Sequence, residues 1–178
     1  MKKQTPNLIK RFKRSESGNA SIEFVIIFPV FFFIMLSAVE LGMYTVKSAL
    51  LERALDVVVR DLRLTTGTPP THSGLKTQIC AETKVVPDCV NNLAIELYNI
   101  DPRAWYDLPE GVICTNRSEE VDPVTTFHNG MDNDLMIIQV CVKYTPIFDN
   151  FGLSAFLEHD TAGDTAIVAR SAFVQEPT

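Results

Sequence analysis

Only three histidines, one tryptophan and four cysteines occur among the 178 residues, and this scarcity excludes several kinds of site. His72, His128 and His159 stand apart in loop-like segments, and none neighbours a serine or cysteine in a nucleophile motif. The sequence has no glycine-rich phosphate-binding loop and no CxxC spacing. Residues 128–134 lack the ligand spacing and the terminal glutamate of an EF-hand loop. We therefore expect no enzymatic activity, no metal site and no other cofactor.

Acidic residues outnumber basic residues in the chain as a whole, but the N-terminus is strongly basic. Residues 1–18 contain six basic residues and one acidic residue, a net charge of +5 against −6 for the whole chain, which leaves −11 on residues 19–178. An acidic body does not suit a nucleic-acid partner, because phosphates require a cationic surface. The basic N-terminus suits either a phosphate group or the cytoplasmic flank of a membrane segment.

A long uncharged run decides between these two interpretations. Phe24–Val39 contains 16 residues without a charge and covers roughly 24 Å as a helix. With its neighbours it can cross a hydrocarbon core of about 30 Å, with Glu23 and Glu40 near the two ends. Ser37-Ala38 mimics a signal-peptidase site, but the helical pattern continues past it. We predict an uncleaved single-pass membrane anchor, with the N-terminus in the cytoplasm and the rest of the chain on the other side of the membrane.

Helical periodicity continues beyond the predicted membrane segment, residues 19–44. In residues 45–64, apolar side chains recur at the spacing of one helix face, and they are Leu50, Ala54, Val57, Val58 and Leu62. The threonine, glycine and proline residues at 65–70 then end the helix. We predict one helix of about 40 residues from near Ser21 to Leu64, apolar all round in its first half and amphipathic in its second.

Residues 65–178 are predicted to form a small α+β domain, with the long helix packed on its antiparallel sheet. Strands are predicted from β-branched content and alternation at Leu93–Ile100, Val112–Thr115, Leu135–Tyr144 and Thr165–Val174. Other predicted elements are a short helix at Gly74–Lys84, a loop at Asp122–Asp134, and a short apolar helix or irregular segment at Asn150–Leu157.

All four cysteines, Cys80, Cys89, Cys114 and Cys141, lie in the domain that we predict to be exported. An even number of cysteines in an oxidising compartment indicates two disulfides, for which three connectivities exist. We favour Cys80–Cys89 and Cys114–Cys141 because each pair joins neighbours in the sequence. The alternative is a set of buried free thiols.

The segment from Arg14 to Phe24, RSESGNASIEF, resembles the prepilin-peptidase site of Flp/Tad pilins and pseudopilins. In that family a glycine precedes the scissile bond, a glutamate lies five residues beyond it, and an aromatic residue follows. Gly18, Glu23 and Phe24 match, and phenylalanine after the glutamate is typical of TadE-like proteins. Pro29 within the apolar run is also similar to that family.

Two further stretches extend the resemblance. Glu40-Leu41-Gly42 matches a Glu-x-Gly that TadE-like proteins carry near the far end of the apolar run. Tyr144–Pro146 and Ala169–Pro177 look like the close of TadE-like domains. Residues 65–134 show no resemblance, so the similarity covers roughly half of the chain.

The resemblance implies a minor pseudopilin that takes part in assembly or priming of a Tad/Flp pilus or related filament, serving adherence and biofilm formation. It implies removal of residues 1–18 by a prepilin peptidase, which cuts between Gly18 and Asn19. Glu23 would then neutralise the new amine of Asn19 in this or a neighbouring subunit, although a glutamate in a first helical turn also complements the helix dipole. The implied partners are the peptidase, other Tad pilins and pseudopilins, and inner-membrane Tad platform proteins. The implied location is the bacterial inner membrane, with the C-terminal domain in the periplasm or in a pilus. The alternative function is that of an uncleaved, signal-anchored periplasmic binding or scaffold protein.

Overall fold

A long N-terminal helix and a three-stranded sheet form the framework of the chain. The computed structural model describes residues 19–64, 70–84, 86–103, 111–116, 125–148 and 151–177. Helix α1 runs without interruption over Asn19–Leu64, which is 46 residues or about 69 Å. The predicted leader, residues 1–18, lies outside the described residues.

Shorter elements follow α1 in the second part of the chain. They are α2 at His72–Glu82, α3 at Cys89–Asn92, β1 at Leu93–Ile100, β2 at Leu135–Tyr144, a 3-10 turn at Ser154–Phe156 and β3 at Thr165–Val174. Thr71 caps the start of α2, because its side chain accepts a hydrogen bond from the backbone N–H of Gly74 at 3.2 Å. The three strands have the predicted bounds.

The sheet is antiparallel, with the strand order β1-β2-β3. Residue pairs along the register include Leu93 with Val142 and Val142 with Ile167, so apolar side chains line up across one face. The second half of α1 and helix α2 cover that face. The α+β class with a long helix on a small antiparallel sheet is therefore confirmed.

The buried face of α1 differs from the predicted one by a small rotation. Its core residues are Leu51, Ala54, Leu55, Val58, Val59 and Leu62. Val57 is 44% exposed and Leu50 is only half-buried, so both were assigned wrongly to the core face. Apolar residues are so dense at positions 50–62 that two neighbouring stripes satisfy helical periodicity, and packing on the sheet selects between them.

The predicted strand Val112–Thr115 is wrong, because this segment lies across a face of the sheet and makes no strand ladder. Cys114 is joined to Cys141, whose side chain points away from the face that α1 covers. The N–H of Ile113 donates to the Glu96 carboxylate at 3.4 Å, and Thr115 donates its hydroxyl to the carbonyl of Asn92 at 2.7 Å. Ladder pairing is available only at a sheet edge, and this segment covers the second face instead.

Two predicted loop regions are described in part. In the segment 125–134, Phe127 forms an isolated bridge to Leu97, with Leu97 donating its N–H to the Thr126 carbonyl at 2.9 Å. This segment therefore covers part of the free edge of β1. Within the predicted Asn150–Leu157 segment, the described residues contain only the 3-10 turn at Ser154–Phe156, in agreement with a largely irregular segment.

Candidate functional site

The described residues of the sequence motif lie at the N-terminal end of α1. Asn19 is the first described residue and begins the helix, while Gly18 lies outside the described part. Glu23 lies one turn into the helix with an exposed side chain, and Phe24 is 62% exposed. No other described residue therefore covers Glu23 or Phe24.

An aromatic row continues from this motif along the helix. The rings of Phe24 and Phe28 stack at 5.1 Å, and those of Phe28 and Phe32 at 5.7 Å. The helix passes through Pro29, which has no N–H to donate to the carbonyl one turn earlier. By length and composition α1 can cross a membrane, and its most apolar window is not buried within the described chain. An exposed apolar helix of this kind is compatible with a single-pass membrane anchor.

Glu40, in contrast, is fully buried at the point where α1 meets the domain. Its side chain is 0% exposed, and its carboxylate accepts hydrogen bonds from the backbone N–H groups of Ile147 at 3.1 Å and Phe148 at 3.3 Å. A carboxylate next to an apolar membrane segment is costly unless it is paired or hydrogen-bonded. Here the chain's own backbone supplies the donors, so Glu40 fixes the segment after β2 to the helix.

Tyr144, the last residue of β2, packs beside Glu40. Its ring lies 6.1 Å from that of Tyr44, and the ammonium of Lys47 lies 4.2 Å from the ring centre. Burial, followed by the negative charge of Glu40, raises the pKa of Tyr144 to about 12. The Tyr144 hydroxyl nevertheless makes no well-aligned hydrogen bond among the described residues. We call Tyr44, Glu40 and Tyr144 the joint, since they connect the helix to the sheet.

From the joint, residues 147, 148, 151 and 152 contact α1 at successive positions toward its N-terminus. We call the described residues 145–148 and 151–157 the strap. The ring of Phe151 meets that of Phe33 edge-to-face at 5.4 Å. Gly152, with φ +66°, approaches so closely that a Cβ there would lie 2.9 Å from the hydroxyl oxygen of Ser37. Glycine is needed here for both the positive φ and the close approach.

The cysteines form two disulfides, Cys80–Cys89 and Cys114–Cys141, the pairing that sequence proximity favours. The first joins α2 to the start of α3, and the second holds the 111–116 segment over the sheet. Both lie in the globular domain, away from the Glu23 motif. They stabilise the domain that α1 carries.

From the sequence, Glu23 is predicted to act in assembly, whereas Glu40 is only a match to the Glu-x-Gly of TadE-like proteins near the far end of the apolar run. The two carboxylates are 17 positions apart on one helix, about 26 Å, so the structure does not bring them together. An acidic residue within a helix that is otherwise apolar was the available signal for a buried role at Glu40. Its partners were not predictable, because backbone N–H groups leave no signature in a sequence.

A long exposed apolar helix with a small disulfide-linked domain on its second half gives an α+β fold that is compatible with a single-pass membrane anchor. A family model described as TadE-like protein matches residues 18–60, which is about a quarter of the chain and covers the Glu23 motif, the apolar run and the joint residues of α1. Over residues 18–60 the chain is therefore similar to TadE-like proteins. No curated protein and no solved structure matches the chain significantly.

Proposed function

We propose that this protein is a minor pseudopilin that takes part in assembly or priming of a Tad/Flp-type pilus or related secretion filament. The observation that carries the proposal is the display of Glu23 on an exposed first turn, at the head of an apolar helix within the TadE-like match. If other parts of the chain covered this end of the helix, it would have no surface left for contact with other subunits.

In this proposal a prepilin peptidase cuts the chain after Gly18 at the cytoplasmic membrane surface. Glycine allows the chain to extend in a protease cleft without a Cβ in the way. Cleavage removes the basic leader and with it the attraction to anionic lipids of the cytoplasmic leaflet. The new helix then starts with an amine on Asn19, one turn from Glu23, ready to join the helices of other pilins and pseudopilins.

The partners that this function requires are the peptidase, the other Tad pilins and pseudopilins, and the inner-membrane platform proteins. The domain on the outer half of α1 lies in the periplasm, and its disulfides suit that compartment. The protein acts by binding, with its helix in the membrane or filament and its domain facing outward. Adherence and biofilm formation are the expected consequences of a working filament.

The test is coexpression with the cognate prepilin peptidase, followed by intact-mass analysis of the membrane-extracted protein. We expect loss of residues 1–18 and a mature chain that begins at Asn19. Gly18→Val blocks the cut, because a branched side chain obstructs the extended backbone at the scissile bond. Gly42→Val is the matched control, since a Cβ at Gly42 meets nothing within 4 Å, and this variant is processed normally.

A mature chain that still begins at Met1 in cells making pili would overturn the proposal. It would favour an uncleaved signal-anchored periplasmic protein instead. Co-purification with other pseudopilins, in a strain that processes the protein, separates a filament component from a protein that is merely cleaved.

A further inference from the structure

Strand β3 is the last in the sheet order, and no other described segment pairs with its outer edge. At the opposite side of the sheet, residues 125–128 cover part of the β1 edge. There Leu97 donates its N–H to the carbonyl of Thr126, and its own carbonyl accepts the N–H of His128. Among the described residues, the outer edge of β3 has no such cover.

The register shows which backbone groups of β3 point outward. Because Leu97 uses both its N–H and its C=O outside the sheet, it makes no ladder bonds to Ile138, and Ile138 instead bonds Ser171 on its other side. Hydrogen-bonded pairs alternate along an antiparallel ladder, and the bond from the Gln175 N–H to the Asp134 carbonyl continues the same alternation. The outward N–H and C=O groups therefore belong to every second residue of β3, which are Ala166, Val168, Arg170, Ala172 and Val174.

Strand β3 lacks the features that usually keep a free edge from pairing. Natural edges are protected by proline, by bulges, by several charges or by their shortness. β3 is ten residues long, pairs with β2 at every position and contains no proline or glycine. Its only charge is Arg170, which is exposed and forms no ion pair with a described residue. A long regular edge of this kind is suited to accept a further strand.

Helix α1 runs in the same direction as β3, and this limits what can occupy the edge. Tyr44 lies beside Tyr144, which pairs with Thr165 at the start of β3. Further along α1, the carbonyl of Leu62 accepts a hydrogen bond from the side chain of Gln175, just after the end of β3. Two copies that paired their β3 edges antiparallel, about a two-fold axis, would therefore point their α1 helices in opposite directions. One membrane cannot anchor both.

Two other arrangements of a second copy are also unfavourable. A two-fold axis along the strands would make the β3 edges parallel, but it would turn side chains at the same height to opposite faces, which a pleated ladder does not allow. The β1 edge of a second copy is already partly covered by its own residues 125–128. The occupant is therefore a strand from a different chain.

We propose that β3 accepts a fourth strand from the periplasmic part of another subunit of the same assembly, an extended segment with an acidic side chain beside Arg170. This inference rests on the membrane anchor and the filament membership in the proposed function. Backbone hydrogen bonds to the outward groups of β3 supply the affinity of such a contact. A carboxylate beside Arg170 pairs the one charge that the edge presents and so selects among strands.

The test compares amide hydrogen exchange, resolved by residue, in the full chain alone and in its detergent-extracted complex with the other pseudopilins of the same strain. The outward N–H groups of Val168, Arg170 and Ala172 should exchange quickly in the chain alone and at least about tenfold more slowly in the complex. Those of Ala169 and Ser171, which bond β2, are the internal control and should be protected in both samples. Outward groups that stay unprotected in the complex would overturn the inference. Protection that grows with the concentration of the chain alone would overturn it in favour of a second copy.

Ala172→Pro removes one outward N–H without breaking a bond to β2, and Ala172→Val is the matched control that keeps this N–H. Both variants should be cut after Gly18 and form both disulfides, but only the proline variant should lose co-purification, by about tenfold or more. Co-purification of Ala172→Pro at the wild-type level would overturn the inference and leave the proposed function intact. A wild-type chain that is neither cut nor co-purified would overturn both.

Arg170→Glu tests the acidic partner without changing a backbone group. It places like charges together across the new strand pair, so recovery of the pseudopilins should fall. Arg53→Glu, at an exposed position on α1, is the control and should leave recovery unchanged. Equal recovery with Arg170→Glu and with the wild type would overturn the proposed acidic side chain beside Arg170.

Discussion

The carboxylate of Glu40 lies 3.1 Å from the backbone nitrogen of Ile147, a residue 107 positions later in the chain. This contact joins the outer end of the apolar run to the segment that leaves β2. The same carboxylate oxygen also accepts the N–H of Phe148 at 3.3 Å. One buried side chain thus sets how the domain is attached to the helix that anchors it.

Replacement of Glu40 should loosen this attachment. Glu40→Ala leaves two N–H groups without their acceptor, so we expect a loss of about 2–4 kcal/mol in the free energy of unfolding. Glu40→Gln keeps one acceptor oxygen and should lose less. Denaturant unfolding of the full chain in detergent, followed by circular dichroism, measures both. Glu23→Ala is the control, because Glu23 is exposed, and equal stability of the two alanine variants would show that the Glu40 contact is not structural.

Replacing Gly152 should destabilise the fold, by an amount that depends on Ser37. Gly152→Ala introduces strain at φ +66° and places a Cβ 2.9 Å from the Ser37 hydroxyl oxygen, so we expect a loss of about 1–3 kcal/mol. Gly163→Ala is the matched control: its φ is +80°, but a Cβ there meets nothing within 4 Å. Melting temperatures should fall further for Gly152→Ala, and Ser37→Ala should restore part of that difference. Equal effects of the two glycine variants would mean that the strap does not press on α1.

The pair formed by Lys143 and Asp160, 3.1 Å apart, should contribute stability that depends on pH. Burial opposes ionisation of Asp160, but hydrogen bonds from the Asp164 and Ala162 N–H groups, together with Lys143, outweigh it and lower the Asp160 pKa below 3.8. A carboxyl group whose pKa is lower in the folded than in the unfolded protein stabilises the fold at pH values above its unfolded pKa. That stabilisation is lost as the pH falls through its folded pKa. Asp160→Asn should therefore destabilise the protein at neutral pH and progressively less below pH 3.8.

Melting temperatures of the wild type and of Asp160→Asn, measured at a series of decreasing pH values, test whether the stability difference between the two proteins shrinks. Asp56→Asn, at an exposed position on α1, is the control and should follow the wild type at every pH. A gap between wild type and Asp160→Asn that stays constant down to strongly acidic pH would argue against the ion pair as its source.

The disulfides should differ in their effect on stability. In the chain-entropy account the Cys114–Cys141 bond closes the longer loop and contributes about 3–4 kcal/mol, whereas Cys80–Cys89 contributes about 2–3 kcal/mol. Replacing both cysteines of one pair by serine avoids a lone thiol, and the 114/141 double variant should melt at the lower temperature. It also frees the segment over the buried Glu96. Non-reducing peptide mapping should recover the two cross-links, and four alkylatable thiols would contradict both of them.

The sequence was sufficient to predict the helix and the strands because each follows a local pattern. β2 combines β-branched residues with alternation, and α1 carries no glycine or proline between Tyr44 and Leu64. The segment Val112–Thr115 has the same composition as a strand, but its disulfide to Cys141 places it over a face where no ladder partner exists. Composition reports local preference, while the position of a segment on a sheet is decided by distant contacts.

The candidate site was predictable to a different extent at each end of the apolar run. Glu23 belongs to a motif that resembles a prepilin-peptidase site, and its exposure agrees with a role toward other molecules. Glu40 shows how a long-range contact escapes sequence reasoning, since Ile147 and Phe148 contribute only backbone atoms. Sequence alone likewise does not decide between a helix and an irregular segment at Asn150–Leu157, because Phe151 and Gly152 pack against Phe33 and Ser37 of α1.

Glu23→Gln separates cleavage from assembly. If Glu23 only complements the helix dipole, the amide keeps its size and the change costs about 0.3–1 kcal/mol. If Glu23 instead neutralises the amine of a processed Asn19 where subunit helices meet, losing its charge leaves a buried cation unpaired, at a cost on the order of 3–5 kcal/mol.

That larger penalty falls on assembly and not on cleavage, since the peptidase acts while the Asn19 nitrogen is still part of a peptide bond. We therefore expect Glu23→Gln to be cut after Gly18 but to fail to support pili and to fail to co-purify with other pseudopilins. Glu52→Gln, at an exposed position on the second half of α1, is the control and should behave as wild type. Intact mass, pilus counts by electron microscopy and pull-down from the same strain provide the three measurements. Normal piliation with Glu23→Gln at wild-type protein level would show that loss of the Glu23 charge does not impair assembly. Glu23 would then only complement the helix dipole.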